Sequence, residues 1–462
     1  MMPKYCLIAV GACLGLMSGV WGAEPSAGPL RVGAAAVDLQ ADDSMPIAGS
    51  IHAGRAQGQE GKLRVVAVVV EKPGAGSLAI ASCDVLILTR DLLDPVADQV
   101  EKTCGIPAAH LLVHATHTHH APSTVRVHGY GRDERFCARV CEGIVRAVGD
   151  AQRALSESAF AFGRGEQSTV GMNSRLLLED GTIYWVGPRD DAVRPTGPFD
   201  PDLPVLAFRS PSGKLQALLF GHSTHTIGAV RGGVRSPAFY GLAAQELESE
   251  LGGVTGFLQG ASGSTHRFSP SPAEAKDLIK QAVLEALAKA EPVQVDRLAS
   301  LKRPFSFKIR TFDEAAEEKA VAGYCAKRIG PNAEPVVAVF RQMRKELAPL
   351  QGTQRTTWLQ TMRIGDVAIV GVPAELFTKL GIEIKRRSPF KHTVVVELAN
   401  DWIGYLPDRE AHDLGGYQTW TGFHSYAAPG TGEEVVQQCV AMLHELARPP
   451  AQQQAGREGS HP

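Results

Sequence analysis

The chain is 462 residues long, 44% of them hydrophobic, and its 47 basic residues stand against 49 acidic ones for a formal net charge of −2. That balance excludes a dedicated nucleic-acid binder and a polybasic membrane-surface protein, since each carries a basic excess or stripe. The 48 glycines and 29 prolines stay below the roughly 25–30% combined share of low-complexity chains, so the sequence is that of a folded globular protein. Its length allows roughly three domains at about 150 residues each, although α/β units often run longer as one.

Residues 1–22 read as a secretory signal peptide: Lys4 supplies a positive start, 5–20 an apolar stretch, and Gly22 and Ala23 the small residues of a cleavage point. The apolar stretch, about 16 residues, is shorter than the ~20 a spanning helix needs. The chain is therefore expected to be exported, periplasmic or secreted, with no transmembrane segment once the signal is removed. Six cysteines follow it: Cys83, Cys104, Cys137, Cys141, Cys325 and Cys439. Cys137 and Cys141 stand at i,i+4 in a helical stretch without a zinc-ribbon pattern, so these are core thiols or at most one disulfide.

From residue 30 to about 295, short β-rich runs alternate with amphipathic helices. Strands are predicted at 63–70, 77–82, 111–115 and 215–220, each bounded by turn residues such as Pro73-Gly74 and Ser212-Gly213. A helix over 273–290 puts Leu278, Ile279, Ala282, Val283, Ala286 and Leu287 on one face. Residues 301–355, with Glu317, Glu318, Lys319, Arg341, Arg344 and Lys345, read as a charged helical excursion, after which a strand is predicted at 366–371. The alternation implies a mixed α/β (α+β) fold, a single large domain over 30–448 with sheets flanked by helices. The polar tail 451–462 is expected to be disordered.

The histidines are unevenly placed: six of the fifteen fall between His110 and His128. Thr116-His117-Thr118-His119 follows an apolar strand, and side chains alternate with a period of two, so both imidazoles face one side. They can share a metal, divide into ligand and acid/base, or form a hydrogen-bonded pair at a turn. A second pair, His222 and His225, follows the strand at 215–220. Ligands in open α/β sheets collect at the C-terminal ends of strands, and catalytic zinc sites use about three N/O protein ligands, so a carboxylate is to be sought elsewhere.

Several motifs occur in order: Val32-Gly-Ala-Ala-Ala-Val-Asp38, Ala81-Ser-Cys-Asp84, Ala115-Thr-His-Thr-His119 with Pro122, Phe257-Leu-Gln-Gly-Ala261, Val372-Pro-Ala-Glu375-Leu-Phe-Thr378 and Asn400-Asp-Trp-Ile-Gly-Tyr405. Together they resemble the N-terminal catalytic domain of the neutral/alkaline, non-lysosomal ceramidases, over about 30–445. The resemblance implies a short member without that family's C-terminal β-sandwich domain. It implies a zinc amidase whose Zn2+ is held by His117, by His225 with His222 as the alternative, by Glu375 and by Tyr405. Ala374 replaces the glycine of the P-G-E-x-x-T pattern, and Trp402 the first tyrosine of N-x-Y-x-x-Y. Taken singly, Glu375 could instead be a helix N-terminal acid and Tyr405 a half-buried aromatic.

The implied reaction is hydrolysis of the N-acyl amide of ceramide or a related N-acyl lipid by metal-activated water. His119 is the candidate for moving the proton, or for orienting a ligand. Tyr417 is the candidate donor to the oxyanion, and Arg175 resembles a substrate-contacting arginine, with Ser174 shifting the match. Gly263-Ser-Thr-His266 departs from the family's G-D-x-S-P-N, which keeps two other readings open. One is a zinc hydrolase of the same scaffold with a different, non-ceramide substrate; the other is a non-catalytic metal-binding or interaction protein. The substrate so implied calls for no nucleic acid and for at most transient contact with a membrane surface.

Overall fold

Apolar residues run almost unbroken through 65–70, 78–81 and 367–370, the pattern of strands buried on both faces. The computed structural model, which describes residues 28–449, shows what covers the two faces. The signal peptide read at 1–22 and the tail at 451–462 lie outside the described residues. In strand Arg64–Lys72, Val65, Ala67 and Val69 pack beneath helices Arg90–Cys104 and Glu134–Arg153. Val68 and Val70 face the other way, into a core shared with two further sheets.

The first sheet runs Leu111–Ala115, Gly76–Cys83, Arg64–Lys72, Arg31–Asp38 and Ser156–Glu157. The second runs Val254–Gln259, Leu215–His222, Asp202–Arg209, Ala159–Glu166 and Glu291–Val293. The third runs Leu298–Lys308, Gln354–Ile364, Val367–Gly371 and His392–Val396. Their inner faces meet through residues such as Val68, Leu112, Leu206, Leu219, Ile369 and Val394. Helices Ala238–Leu251 and Pro272–Ala288 cover the outer face of the second sheet, and Thr378–Arg387 and Thr431–Ala447 that of the third.

Each sheet is antiparallel except for one parallel pair at an edge. A parallel pair requires a crossover, and in each sheet one helix supplies it: Arg90–Cys104, Ala238–Leu251 and Thr378–Arg387. The C-terminal ends of the three pairs are tied together. Ser82 Oγ donates to Phe257 O at 2.7 Å, Glu397 N to Gln259 O at 2.9 Å and Asn400 N to Val113 O at 2.8 Å. The mixed α/β reading with helix-flanked sheets therefore describes this domain.

The largest departure from expectation lies at 301–355. The excursion at 301–355 opens and closes as strand, with Leu298–Lys308 paired to Gln354–Ile364 along 11 residues. Leu298–Lys308 is an edge strand, which tolerates Pro304, an exposed Arg303 and a Lys302 laid over the Trp358 ring, and those charges masked its strand character. Only Glu314–Arg328 and Ala333–Leu347 are the predicted helices, pinned together by buried Arg344 on Glu314 and Glu318. The six cysteines are free, Cys137 and Cys141 both on Glu134–Arg153. No helix among the described residues is long and apolar enough to cross a membrane.

One close approach links the second and third sheets. A Cβ on Gly263 would lie 2.3 Å from Glu375 O, and Gly263 N donates to Leu376 O at 2.9 Å. Gly263→Ala must push these segments apart and is expected to cost about 1–3 kcal/mol, read as a lower urea midpoint. An unchanged midpoint would mean that the contact carries no weight.

Candidate metal centre

Strand Leu111–Ala115 stops two residues before His117, so strand alternation does not aim the histidines of the first pair. A left-handed backbone at His117, φ 63°, turns the chain instead. Such a conformation costs a non-glycine residue of order 1–3 kcal/mol and persists only where the surroundings over-determine it. Here they do: Thr116 N donates to Cys83 O, Thr116 Oγ1 to Asp84 Oδ1 and Thr118 Oγ1 to Ser236 O.

Three imidazoles then converge. His117 Nδ1 donates to Leu86 O at 3.0 Å, His119 Nδ1 to Gly49 O at 2.8 Å and His225 Nδ1 to Ser262 O at 2.8 Å. A carbonyl only accepts, so each Nδ1 keeps its proton and each neutral ring offers an Nε2 lone pair. These atoms lie within 4.8 Å of one another, His119 Nε2 at 3.4 Å from His117 Nε2. Two facing lone pairs repel unless a proton or cation lies between them.

The third sheet supplies the anionic ligand. Glu375 lies in the two-residue strand Glu375–Leu376, which pairs in parallel with Tyr405–Leu406; the following helix begins only at Thr378, so Glu375 is not a helix-terminal acid. Its Oε2 stands 3.4 Å from His117 Nε2 and 3.3 Å from His225 Nε2. Trp402 Nε1, which can only donate, fixes Oε1 at 3.1 Å. Tyr405 OH donates to His225 Nε2 at 3.1 Å. His117, His225, Glu375 and Tyr405 thus come together, and His119 joins them through Nε2. The buried His117 and His225 and the half-buried His119, with their outward N–H groups anchored, fit a metal site.

His222 does not join them. Its Nε2 faces Gln167 O at 2.8 Å and its Nδ1 the Tyr240 hydroxyl, which makes it a satisfied core histidine. Tyr417 stacks between Trp185 and His424, with its ring centroid 5.9 Å from that of Tyr405. Its hydroxyl donates to His128 Nε2 at 3.1 Å, because His128 Nδ1 is committed to Ser50 O. Arg175 is buried, and its two terminal nitrogens donate to Gln418 Oε1, Ala411 O and Gly415 O while Nε has no partner. It holds the segment that carries Tyr417. Ser174 and His266, both departures from the family pattern, are partners: His266 Nδ1 lies 2.6 Å from Ser174 Oγ while its ring stacks on His225 at 4.1 Å.

Burial shapes the electrostatics. It pushes His119 well below the ordinary 6.5, helped by His117 and His225, and lowers His225 as well, so both are neutral at pH 7. Burial alone would raise Glu375, but the His117 and His225 imidazoles hold it well below the usual carboxylate range. Tyr405 and Tyr417 are pushed well above 10 by burial and by Glu375. Sequence reasoning missed Glu397, whose carboxyl burial raises well above 4.5 and which bonds Ser262 and Leu376. A lone acid in the apolar run 394–399 was the available signal.

Burial also holds His114, His128 and His222 at about 4. Below pH 6.5 each takes up a proton in the unfolded chain but not in the folded one, so stability falls on acidification by about 1.4 kcal/mol per pH unit and proton. Asp84, raised to about 6, and Glu397 act in the opposite sense but are outnumbered. The metal-free protein should melt lower at pH 5.5 than at 7.5; an equal or higher melting temperature would contradict these buried neutral histidines.

No family model matches the sequence. The chain is 22% identical over 378 residues to the neutral ceramidase of Pseudomonas aeruginosa, an alignment covering 67% of this chain and 55% of that protein. The chain thus spans about half the length of the curated relative it matches. The crystal structure of neutral ceramidase from Pseudomonas aeruginosa superposes with a TM-score of 0.70 at 20% identity, covering 90% of this chain and 74% of that one. A ceramidase complexed with C2 superposes with a TM-score of 0.70 at 19% identity, covering 90% and 75%. At these identities the likeness is one of fold: over nine-tenths of its length the chain shares the fold of neutral ceramidase.

Proposed function

We propose that the chain is an exported, zinc-dependent amidohydrolase that cleaves the N-acyl amide of ceramide or a related N-acyl lipid. The observation that carries this reading is the convergence of His117, His225, Glu375 and Tyr405, with His119 beside them, on a scaffold of the neutral ceramidase fold. Export rests on Lys4 and the apolar stretch at 5–20.

Bound zinc supplies Lewis-acid polarisation of an acyl carbonyl and a water-derived nucleophile at neutral pH. His117, His225, Glu375 and Tyr405 would hold it. His119, neutral at pH 7 with Nε2 open to the same point, takes up a proton and passes it to the leaving amine. Tyr417, its hydroxyl protonated at any working pH, donates to the developing oxyanion in exchange for its bond to His128. The same scaffold acting on an N-acyl compound other than ceramide is the second reading, favoured by the Ser174–His266 pair beside His225.

Purified protein should contain about one zinc per chain and hydrolyse a short-chain fluorescent ceramide, with His117→Ala losing both. Zinc without ceramide turnover would favour the second reading, and absence of any bound metal would contradict both. Tyr417→Phe should lower kcat about 10²–10³-fold with little change in KM. An unchanged kcat would remove Tyr417 from the chemistry.

A further inference from the structure

Glu397 stands immediately after strand His392–Val396, fully buried, and no lysine or arginine pairs with it among the described residues. An acid at 0% exposure with no cationic partner is costly to retain, which calls for a reason. Both of its oxygens are engaged. Oε1 accepts from Ser262 Oγ at 2.5 Å and Oε2 from Leu376 N at 2.8 Å. Ser262 is the residue whose carbonyl fixes His225 Nδ1, and Leu376 is the neighbour of Glu375 in its two-residue strand. Gln259 Nε2 donates to Ser262 Oγ at 2.9 Å, which directs the hydroxyl proton toward Glu397. One carboxylate thus grips the supports of two ligands that belong to different sheets.

We infer that Glu397 is a positioning residue of the metal centre, setting the separation of His225 and Glu375 through Ser262 and Leu376. The inference rests on the reading of this site as a zinc centre. It also explains how a loop residue, His225, and a residue of the short strand Glu375–Leu376 are held at one separation. The carboxyl group is a common brace for both supports.

The test is zinc affinity of the full chain, measured by competition with a chromogenic chelator, alongside the melting temperature of the metal-free protein. Glu397→Gln keeps the volume, but its amide puts a donor against one of two donors. It should bind zinc 10- to 100-fold more weakly while the metal-free protein melts no lower than wild type. Ser262→Ala, which cuts the link but leaves the carbonyl to His225, should also weaken binding, and the double variant should be no weaker than Glu397→Gln alone. Should Glu397→Gln fail to fold, Ser262→Ala decides: a loss of severalfold or more supports the assignment. Affinity within twofold of wild type in the folded variants overturns it, as does a lower metal-free melting temperature at unchanged affinity, the mark of a merely structural role. A double variant whose losses multiply would also overturn it. Wild-type protein that binds no zinc would overturn the assignment and the proposed function together, whereas unaffected variants of a zinc-binding wild type overturn the assignment alone.

Discussion

The site depends on one constraint: the Nδ1–H of His117, His119 and His225 must each be spent on a backbone carbonyl. Only then do three Nε2 lone pairs point inward at a common position. The carbonyls belong to Leu86, Gly49 and Ser262, residues of loops far apart in sequence, so ligand orientation is a property of the whole domain. The left-handed His117 and the close seating of Gly263 against Glu375 are local costs of the same requirement.

The three sheets meet that requirement by repetition. Each places one parallel pair at an edge, each pair is closed by one crossover helix, and the loops leaving the C-terminal ends of the pairs face one another. The first sheet delivers His117 and His119, the second His225 and Ser262, the third Glu375, Glu397 and Tyr405. Ligands at the C-terminal edge of parallel strands follow from α/β geometry; here three such edges share one site. The apolar core common to the inner faces keeps the edges in register, and hydrogen bonds such as Asn400 N to Val113 O lock them at the site.

Much of this was legible in the sequence, for a physical reason. The sequence places strand Leu111–Ala115 to the residue because its apolar run ends in a threonine and histidine segment, and places the start of Leu215–His222, though not its end, because of its bounding turn. Local patterning of this kind survives folding. Pairing across the domain does not show in it: Leu298–Lys308 was hidden by the charges an edge strand tolerates, and the crossing of three sheets leaves no periodic mark. The sequence marks His119 as a proton carrier, and the geometry puts its Nε2 beside that of the ligand His117. Arg175, a candidate substrate contact by resemblance, donates to the segment 411–418. Glu397 went unread because an acid in an apolar run acquires meaning only from Ser262 and Leu376, which are far from it in sequence.

The most direct test of the central claim is diffraction from crystals of the zinc-loaded protein at wavelengths on either side of the zinc absorption edge. The account predicts one strong anomalous peak bonded to Nε2 of His117 and His225 and to oxygens of Glu375 and Tyr405. A peak elsewhere, or none with zinc present in the crystal, would contradict it.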